Sequence, residues 1–173
     1  MKTVFFALLL MSTLFGRPIL AADDSRNIGG YDKTIWGMSE DDVLRAESPL
    51  AEKLDKPEKA ETGDIRSITI KAIKIASTEF RVMFIFDSKN RKLKQVTLES
   101  LNDLDPASTF SSIEKLLTEK YGTPTYKKEG KDVSWKLPKT IISLRYLNVP
   151  PERMPIFVIY QPVEASIDAS KSL

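Results

Sequence analysis

The chain of 173 residues contains no cysteine and no histidine. Without cysteine there is no disulfide framework, no thiol nucleophile, no thiolate metal ligand and no cysteine to carry an N-terminal lipid. Without histidine, the commonest general base and the commonest transition-metal ligand are both missing. These absences exclude most hydrolase triads and zinc sites, and we expect neither a metal nor another cofactor.

The N-terminal apolar stretch, residues 4–15, is too short to span a membrane, which takes about 20 residues. It follows Lys2 and precedes the small residues Ala21 and Ala22, a pattern typical of a secretory signal peptide. We therefore predict a signal peptide over residues 1–22, cleaved near Ala21 or Ala22. The absence of cysteine and of an Asn-x-Ser/Thr acceptor favours a bacterial periplasmic or secreted protein that does not span the membrane.

The predicted mature chain has no net charge. The full sequence has 26 basic and 24 acidic residues, and removing residues 1–22 takes away Lys2 and Arg17 but no acid. The electrostatic term that dominates nucleic-acid affinity is then missing, which argues against a nucleic-acid partner.

Charge is nevertheless uneven along the chain. Residues 65–100 carry eight basic and three acidic residues, whereas residues 23–64 carry six and twelve. The basic hairpin at 89–94 fits either a contact for an anionic headgroup, a polyanionic glycan or an acidic partner, or an ordinary solvated turn. Lysine at a hairpin also protects a sheet edge, and the solvated turn is the favoured interpretation.

A short capped helix opens the folded part of the sequence. Ser39 is placed to cap it, Asp42 to complete a capping box, and Met38 to pack on Val43. The helix should end before Pro49, because the residue ahead of proline leaves the helical region. Residues 47–64 are charged and poor in apolar side chains, so we predict an exposed connection there.

Two groups of alternating apolar residues predict antiparallel strands. The first group forms a three-stranded meander whose phase slip at Ala72 suggests a bulge. A second helix, capped by Asp105 or Ser108, should end at Gly122, ahead of a second meander. The strand residues are Ile68, Ile70, Ile73, Ile75, Phe80, Val82, Phe84, Phe86, Leu93, Val96 and Leu98, then Val133, Trp135, Leu137, Ile142, Leu144, Tyr146 and residues 156–160.

These patterns predict an α+β fold of two helix-β-β-β units with antiparallel sheets and the helices packed on one face. The predicted single domain covers residues 23–165, divided into units at 23–100 and 101–165. Residues 166–173, rich in serine, alanine and lysine, should form a flexible tail.

Four short segments carry a family resemblance: Trp36-Gly37-Met38-Ser39, Phe84-Ile85-Phe86-Asp87, Tyr121-Gly122-Thr123-Pro124 and Trp135. With them the chain resembles small exported bacterial proteins of uncharacterised function. Its predicted architecture is similar to the β-lactamase inhibitory protein fold and, over one half, to the small lipoprotein of the outer-membrane assembly machinery. The lipoprotein's lipid-bearing cysteine is missing here. The resemblance implies a binding scaffold whose two small sheets join into a concave surface.

The best binding candidates lie on strand faces opposite the core phase. Arg81, Met83 and Ile85 share one such face, and Ile141, Ser143 and Arg145 share another. Since a solvated sheet face is normally plainly polar, this mixture of apolar and cationic residues suggests a recognition surface. The alternative is that the helices or residues 47–64 cover these faces, and the two interpretations carry equal weight.

Both tryptophans are candidates for sugar stacking or for anchoring an interface. Trp135 lies in phase with the buried side of its strand, so we expect it in the core. Trp36 precedes the first helix, and we place it at the rim of the recognition surface. The predicted binding residues are Trp36, Arg81, Met83, Ile85 and Arg145.

Acidic residues offer the only other chemistry. The pairs Asp41–Asp42 and Asp103–Asp105 are explained by helix capping. The turn that begins at Asp87 resembles a calcium loop but continues with lysine and arginine and lacks a bidentate glutamate.

We therefore predict a non-enzymatic exported protein that docks a protein or envelope component on an exposed sheet face. One alternative is a cell-wall or glycan hydrolase with two carboxylates about 5 to 10 Å apart, one of them with a raised pKa. The other is a carrier of a small apolar ligand, with an enclosed pocket between helices and sheets.

Overall fold

The computed structural model describes residues 28–60, 62–101, 105–146 and 154–164. The predicted signal peptide at 1–22, its cleavage site, the predicted tail at 166–173 and Asp103 lie outside the described residues. The elements are α1 (Glu40–Ala46), β1 (Glu52–Lys59), β2 (Ile65–Ile75), β3 (Thr78–Phe86), β4 (Leu93–Ser100), α2 (Pro106–Tyr121), β5 (Tyr126–Lys128), β6 (Asp132–Lys136), β7 (Thr140–Tyr146) and β8 (Ile156–Pro162).

All eight strands form one antiparallel sheet in the order β1-β2-β3-β4-β8-β7-β6-β5. Strands β4 and β8 pair in the middle, with Val96 opposite Tyr160 and Leu98 opposite Val158. The predicted fold of two helix-β-β-β units is therefore wrong, since the described residues form mostly one eight-stranded antiparallel sheet with two helices. The apolar alternation marked the strands, but it carried no information that the edges of the two meanders pair with each other.

The prediction of an exposed connection over residues 47–64 is wrong as well, because β1 lies within that range. Backbone pairing to β2 forms this strand, with Glu52 opposite Thr69 and Glu58 opposite Arg66. Its register is irregular between Lys53 and Glu58, and most of its side chains are exposed. A charged edge strand of this kind needs no apolar alternation, so its sequence does not look like a strand.

The helix boundaries follow from their caps. The hydroxyl oxygen of Ser39 accepts from the backbone N–H of Asp42, whose carboxylate accepts in return from the N–H of Ser39. Asp105 caps α2 through the N–H of Ser108, and Gly122 follows the last turn at a φ of 87°. The phase slip predicted in β2 is confirmed as a register shift between Ile70 and Ile73.

The core lies on one face of the sheet, which we call the core face. Phe80, Val82, Phe84 and Phe86 alternate along β3 and are fully buried there. The buried side chains of α2 (Phe110, Ile113, Leu117 and Tyr121) and Val43 of α1 belong to the same cluster. The helices therefore cover the core face. Trp135 is 1% exposed and, as predicted, is a core residue, with its Nε1 donating to the Gly122 carbonyl over 2.9 Å.

The segment before α1 also packs on the core face. The Tyr31 ring meets Tyr160 edge to face at 5.1 Å and Phe84 at 6.4 Å. Trp36 Nε1 donates to Thr140 Oγ1 over 3.0 Å, and the Thr140 hydroxyl donates to the Ile28 carbonyl over 2.7 Å. These contacts attach the first described residues to β7, near the far end of the sheet.

Candidate functional site

The opposite side of the sheet, which we call the outer face, carries a row of side chains that crosses all eight strands. Residues directly paired in an antiparallel sheet point to the same side, so the register defines this row. We call it the central row: Glu52, Thr69, Met83, Thr97, Ile159, Ser143, Ser134 and Tyr126. Between Glu52 at one end and Tyr126 at the other, the central row contains only serine and threonine side chains and the apolar side chains of Met83 and Ile159.

Charged side chains flank the central row on one side. The register from β3 to β5 aligns Arg81, Glu99, Phe157, Arg145, Asp132 and Lys128. Arg81 contacts Glu99 at 2.7 Å, and Arg145 lies 3.6 Å from Asp132. Each arginine of this charged row is thus paired with a carboxylate on the neighbouring strand, which leaves the row close to neutral.

The other flank is a mixed row. Glu58, Arg66, Ile85 and Gln95 align across β1 to β4. Gln161, Ile141 and Lys136 align across β8 to β6. On the outer face, the neutral, partly apolar central row therefore lies between two rows that contain long polar side chains.

Side chains on the outer face are well shielded although no described helix covers them. Met83 is 7% exposed, Ile85 4%, Thr97 6% and Ser143 7%. The 47–64 segment does not cover the face either, because β1 extends the sheet sideways.

The structure brings four of the five predicted binding residues to this face. Arg81, Met83 and Ile85 are alternate residues of β3, so all three point to the outer face. Arg145 lies in the same row as Arg81, three strand spacings or about 14 Å away. Trp36 is on the other side of the sheet, where its indole N–H is already bonded to Thr140 and its ring packs against the core. The prediction that Trp36 lies at the rim of this surface is wrong.

Trp36 borders a separate surface cavity of about 340 Å³ together with Ile35, Pro138 and Pro162. Ile35 is 59% exposed there. Since the indole nitrogen is bonded within the protein, Trp36 offers this cavity only its ring.

One end of the outer face contains a cleft of about 340 Å³, bounded by β1, β2, β3 and the end of β4. We call it the β1–β3 cleft. Its lining combines three cations, two carboxylates and apolar side chains: Arg66, Lys71, Arg81, Glu52, Glu58, Leu54, Met83, Leu101 and Thr69. Sequence reasoning found only Arg81 and Met83 of this set. Nothing in the sequence pointed to Glu52 or Leu54, because β1 has no apolar alternation.

Each cation of the β1–β3 cleft has an acidic neighbour. Lys71 Nζ lies 2.8 Å from Glu52 Oε1, and Arg66 Nη1 lies 3.6 Å from Glu58 Oε2. The Nε atoms of Arg66 and Arg81 are buried and have no hydrogen-bond acceptor among the described residues. A buried donor without an acceptor costs about 1 to 3 kcal/mol, so these two guanidinium groups are imperfectly satisfied.

The acidic residue that begins the predicted calcium-like turn, Asp87, serves a structural role. Asp87 Oδ1 accepts from the backbone N–H groups of Asn90 and Lys89, which lowers the pKa of Asp87. That is the chemistry of a turn rather than of a calcium loop. In the described part of the chain, no group of three or more acidic side chains gathers where it could hold a metal ion.

Among the described residues, Glu47 is a carboxylate with a raised pKa. Glu47, 3% exposed, follows α1, and burial first and the nearby Asp32 second raise its pKa. Its Oε1 accepts from the backbone N–H of Lys33 over 3.3 Å. Neither of the two cavities described above is lined by Glu47 or Asp32.

Neither helix in the described residues has the length and apolar character needed to cross a bilayer. Comparison of the chain with protein-family models, with curated proteins and with solved structures gave no match. The resemblance to the β-lactamase inhibitory protein fold and to the outer-membrane assembly lipoprotein therefore stays a prediction and adds nothing to the assignment of a function.

Proposed function

We propose that this protein is a non-enzymatic binding protein that docks a partner protein on its outer face. The observation that carries the proposal is the central row, whose six members between Glu52 and Tyr126 have small hydroxyl or apolar side chains that no described helix covers. A sheet face that serves only solvation would be plainly polar.

The dimensions of the outer face suit a protein partner. Seven spacings between eight strands give a width of about 34 Å, and three rows of side chains give a height of about 20 Å. The resulting area of roughly 700 Å² is close to the roughly 800 Å² that each partner buries in a standard interface.

The two edges of the sheet are unsuited to docking, which favours the face. At one edge, β1 is charged, irregular in register and contains Pro57. At the other edge, β5 has only three residues, all exposed, two of them lysines. Short, charged or irregular edges discourage the addition of another strand.

The charged row contributes specificity in this proposal. Arg81 and Arg145 are paired with Glu99 and Asp132, so a partner gains little from net attraction and must match the alternation of charges. Paired charges at the border of an interface typically set orientation and reject wrong partners rather than add affinity.

The predicted signal peptide places this docking outside the cytoplasm, in a bacterial periplasm or in the medium. The partner is then an exported protein or a protein component of the envelope.

The test compares two variants that carry the same substitution on opposite sides of the molecule. Ser143→Arg puts a long cation in the middle of the central row, and Ser112→Arg puts the same cation on an exposed position of α2. Each chain is tagged and carries a photo-crosslinker at Ile159. Crosslinked proteins from periplasmic and envelope fractions are identified by mass spectrometry.

We expect one protein to crosslink to the wild type and to Ser112→Arg, and to be lost from Ser143→Arg. Thermal melts of both variants verify that the fold is intact. Equal crosslinking to all three chains, or none to the wild type, would refute docking on the outer face. Reversing Arg81 and Arg145 to glutamate is a poorer test, because Arg81→Glu would face Glu99, whose side chain is only 14% exposed.

A further inference from the structure

The β1–β3 cleft has the composition of a site for a small amphiphile. Its lining combines three cations with the apolar side chains of Leu54, Met83 and Leu101, and it also contains Glu52 and Glu58. Its volume of about 340 Å³ equals that of roughly eleven liquid water molecules and is at the lower end of the range for ligand pockets. A ligand of this size is a head group with a short chain.

Two arginines of the cleft have hydrogen-bond donors without an acceptor among the described residues. Arg81 uses Nη2 for Glu99, and its Nε–H has no acceptor among the described residues. Arg66 Nη1 lies 3.6 Å from Glu58 Oε2, which is longer than a hydrogen bond. The Nε–H of Arg66 also lacks an acceptor among the described residues. A guanidinium group offers five donors, so both side chains have donors to spare.

The two Nε atoms are covered where they lie, and water cannot reach them. They gain an acceptor only if the guanidinium groups turn toward the cleft. The side chains of Arg66 and Arg81 are 29% and 43% exposed, so neither belongs to the apolar core. An oxyanion is the acceptor that matches the planar fork of a guanidinium with two oxygens.

Charge does not oppose an anion in this cleft. Three cations and two carboxylates line the cleft, and Glu99, outside the lining, pairs with Arg81. The site is therefore close to neutral, so an oxyanion gains from hydrogen bonds to the guanidinium groups rather than from net charge.

We propose that the β1–β3 cleft binds an amphiphilic oxyanion, a carboxylate or phosphate head group on a short aliphatic chain, with Arg66, Arg81 and Lys71 holding the head group. Leu54 and Met83 contact the chain. The cleft shares Arg81 and Met83 with the surface proposed for docking, but it occupies only one end of that face and does not reach Ile159 or Ser143.

The experiment titrates the full protein with four monomeric probes and follows backbone amides by NMR and heats by calorimetry. Decanoate and decyl phosphate carry both features, 1-decanol lacks the charge, and acetate lacks the chain. We expect saturable binding of at least one of the two acids, with shifts at Thr69, Lys71 and Met83, and at least tenfold weaker binding of decanol and acetate. The order of the two acids tells which head group the site prefers.

The variant Arg66→Gln/Arg81→Gln should weaken binding of the preferred acid at least tenfold. Arg145→Gln is the matched control, because Arg145 is also 3.6 Å from its carboxylate on the same face but lies outside the cleft, and it should change binding less than twofold. Lys71→Gln, at a side chain 79% exposed, loses only a surface ion pair with Glu52, a kind of contact that adds little stability, and should weaken binding about threefold.

Failure of both acids to saturate would overturn the proposal, as would decanol binding as tightly as the acids. An equal loss in Arg145→Gln would also overturn it. Ser143→Arg should leave this binding unchanged, so failure of the docking proposal and failure of the cleft proposal give different results.

Discussion

Replacing Thr140 by valine should lower the free energy of unfolding by about 2 to 4 kcal/mol. Thr140 is fully buried, its Oγ1 accepts from Trp36 Nε1 over 3.0 Å, and its hydroxyl donates to the Ile28 carbonyl over 2.7 Å. Valine has the same shape but makes neither bond. Each lost bond costs about 1 kcal/mol, and each group left without a partner away from water raises that cost.

Urea unfolding followed by tryptophan fluorescence measures this effect. The midpoint should fall while the slope with denaturant stays constant, because the surface exposed on unfolding hardly changes. Thr140→Ser keeps the hydroxyl and loses one methyl group, so it should cost only about 1 kcal/mol.

A double-mutant cycle separates the tryptophan bond from the rest. In Trp36→Phe the indole donor is gone, so adding Thr140→Val should cost about 1 kcal/mol less than it does in the wild type. A cost below 0.5 kcal/mol for Thr140→Val, taking about 0.5 kcal/mol as the ordinary effect of a neutral surface change, would refute the view that this residue fastens the N-terminal segment to β7.

Three further predictions concern stability. Because the pKa of Glu47 is raised in the folded protein, its contribution to the free energy of unfolding is fully present below the ordinary value of 4.5 and is lost as pH rises through the raised value. Glu47→Gln should therefore be more stable than the wild type at pH 7 and equal to it near pH 4. The same difference in urea midpoint at both pH values would contradict this cause. Phe84→Ala should cost about 3 to 5 kcal/mol, because the ring is fully buried; a calorimetric melt that loses less than about 1 kcal/mol, the typical effect of any point mutation, would mean that the site collapses around the gap. Ser39→Ala should cost about 1 kcal/mol through the loss of the cap, whereas Ser112→Ala, on the exposed side of α2, should cost nothing measurable in the same urea experiment.

Local patterns in the sequence were enough to predict the strands that bury one side and the caps of both helices. Phe80, Val82, Phe84 and Phe86 alternate because one side of β3 meets the core and the other does not. Strand β1 could not be found this way, because it is held by backbone pairing and by charges across to β2. The position of β1 is set by its pairing with β2, which follows it in the chain, rather than by an apolar pattern of its own.

The residues of the candidate site were likewise predictable only where they lie on one strand. Alternation alone puts Arg81, Met83 and Ile85 on one face. That Arg145 joins them depends on the register of β4 against β8, a pairing between residues about sixty positions apart that no local pattern reveals. Trp36 was misplaced because the contact that fixes it is with Thr140, more than a hundred residues further along the chain.

The pairing of β4 with β8 has a consequence for the order in which the chain can fold. Strands β1 to β4 pair with their neighbours in sequence, and so do β5 to β8, but the two sets meet only through β8, the last strand in the described part of the chain. Contacts that close long loops form slowly. Until residues 156–162 are available, β4 has an open edge with apolar side chains beside it. A chain synthesised from its N-terminus therefore completes the centre of its sheet last. While the edge of β4 is still open, the chain is most prone to aggregation.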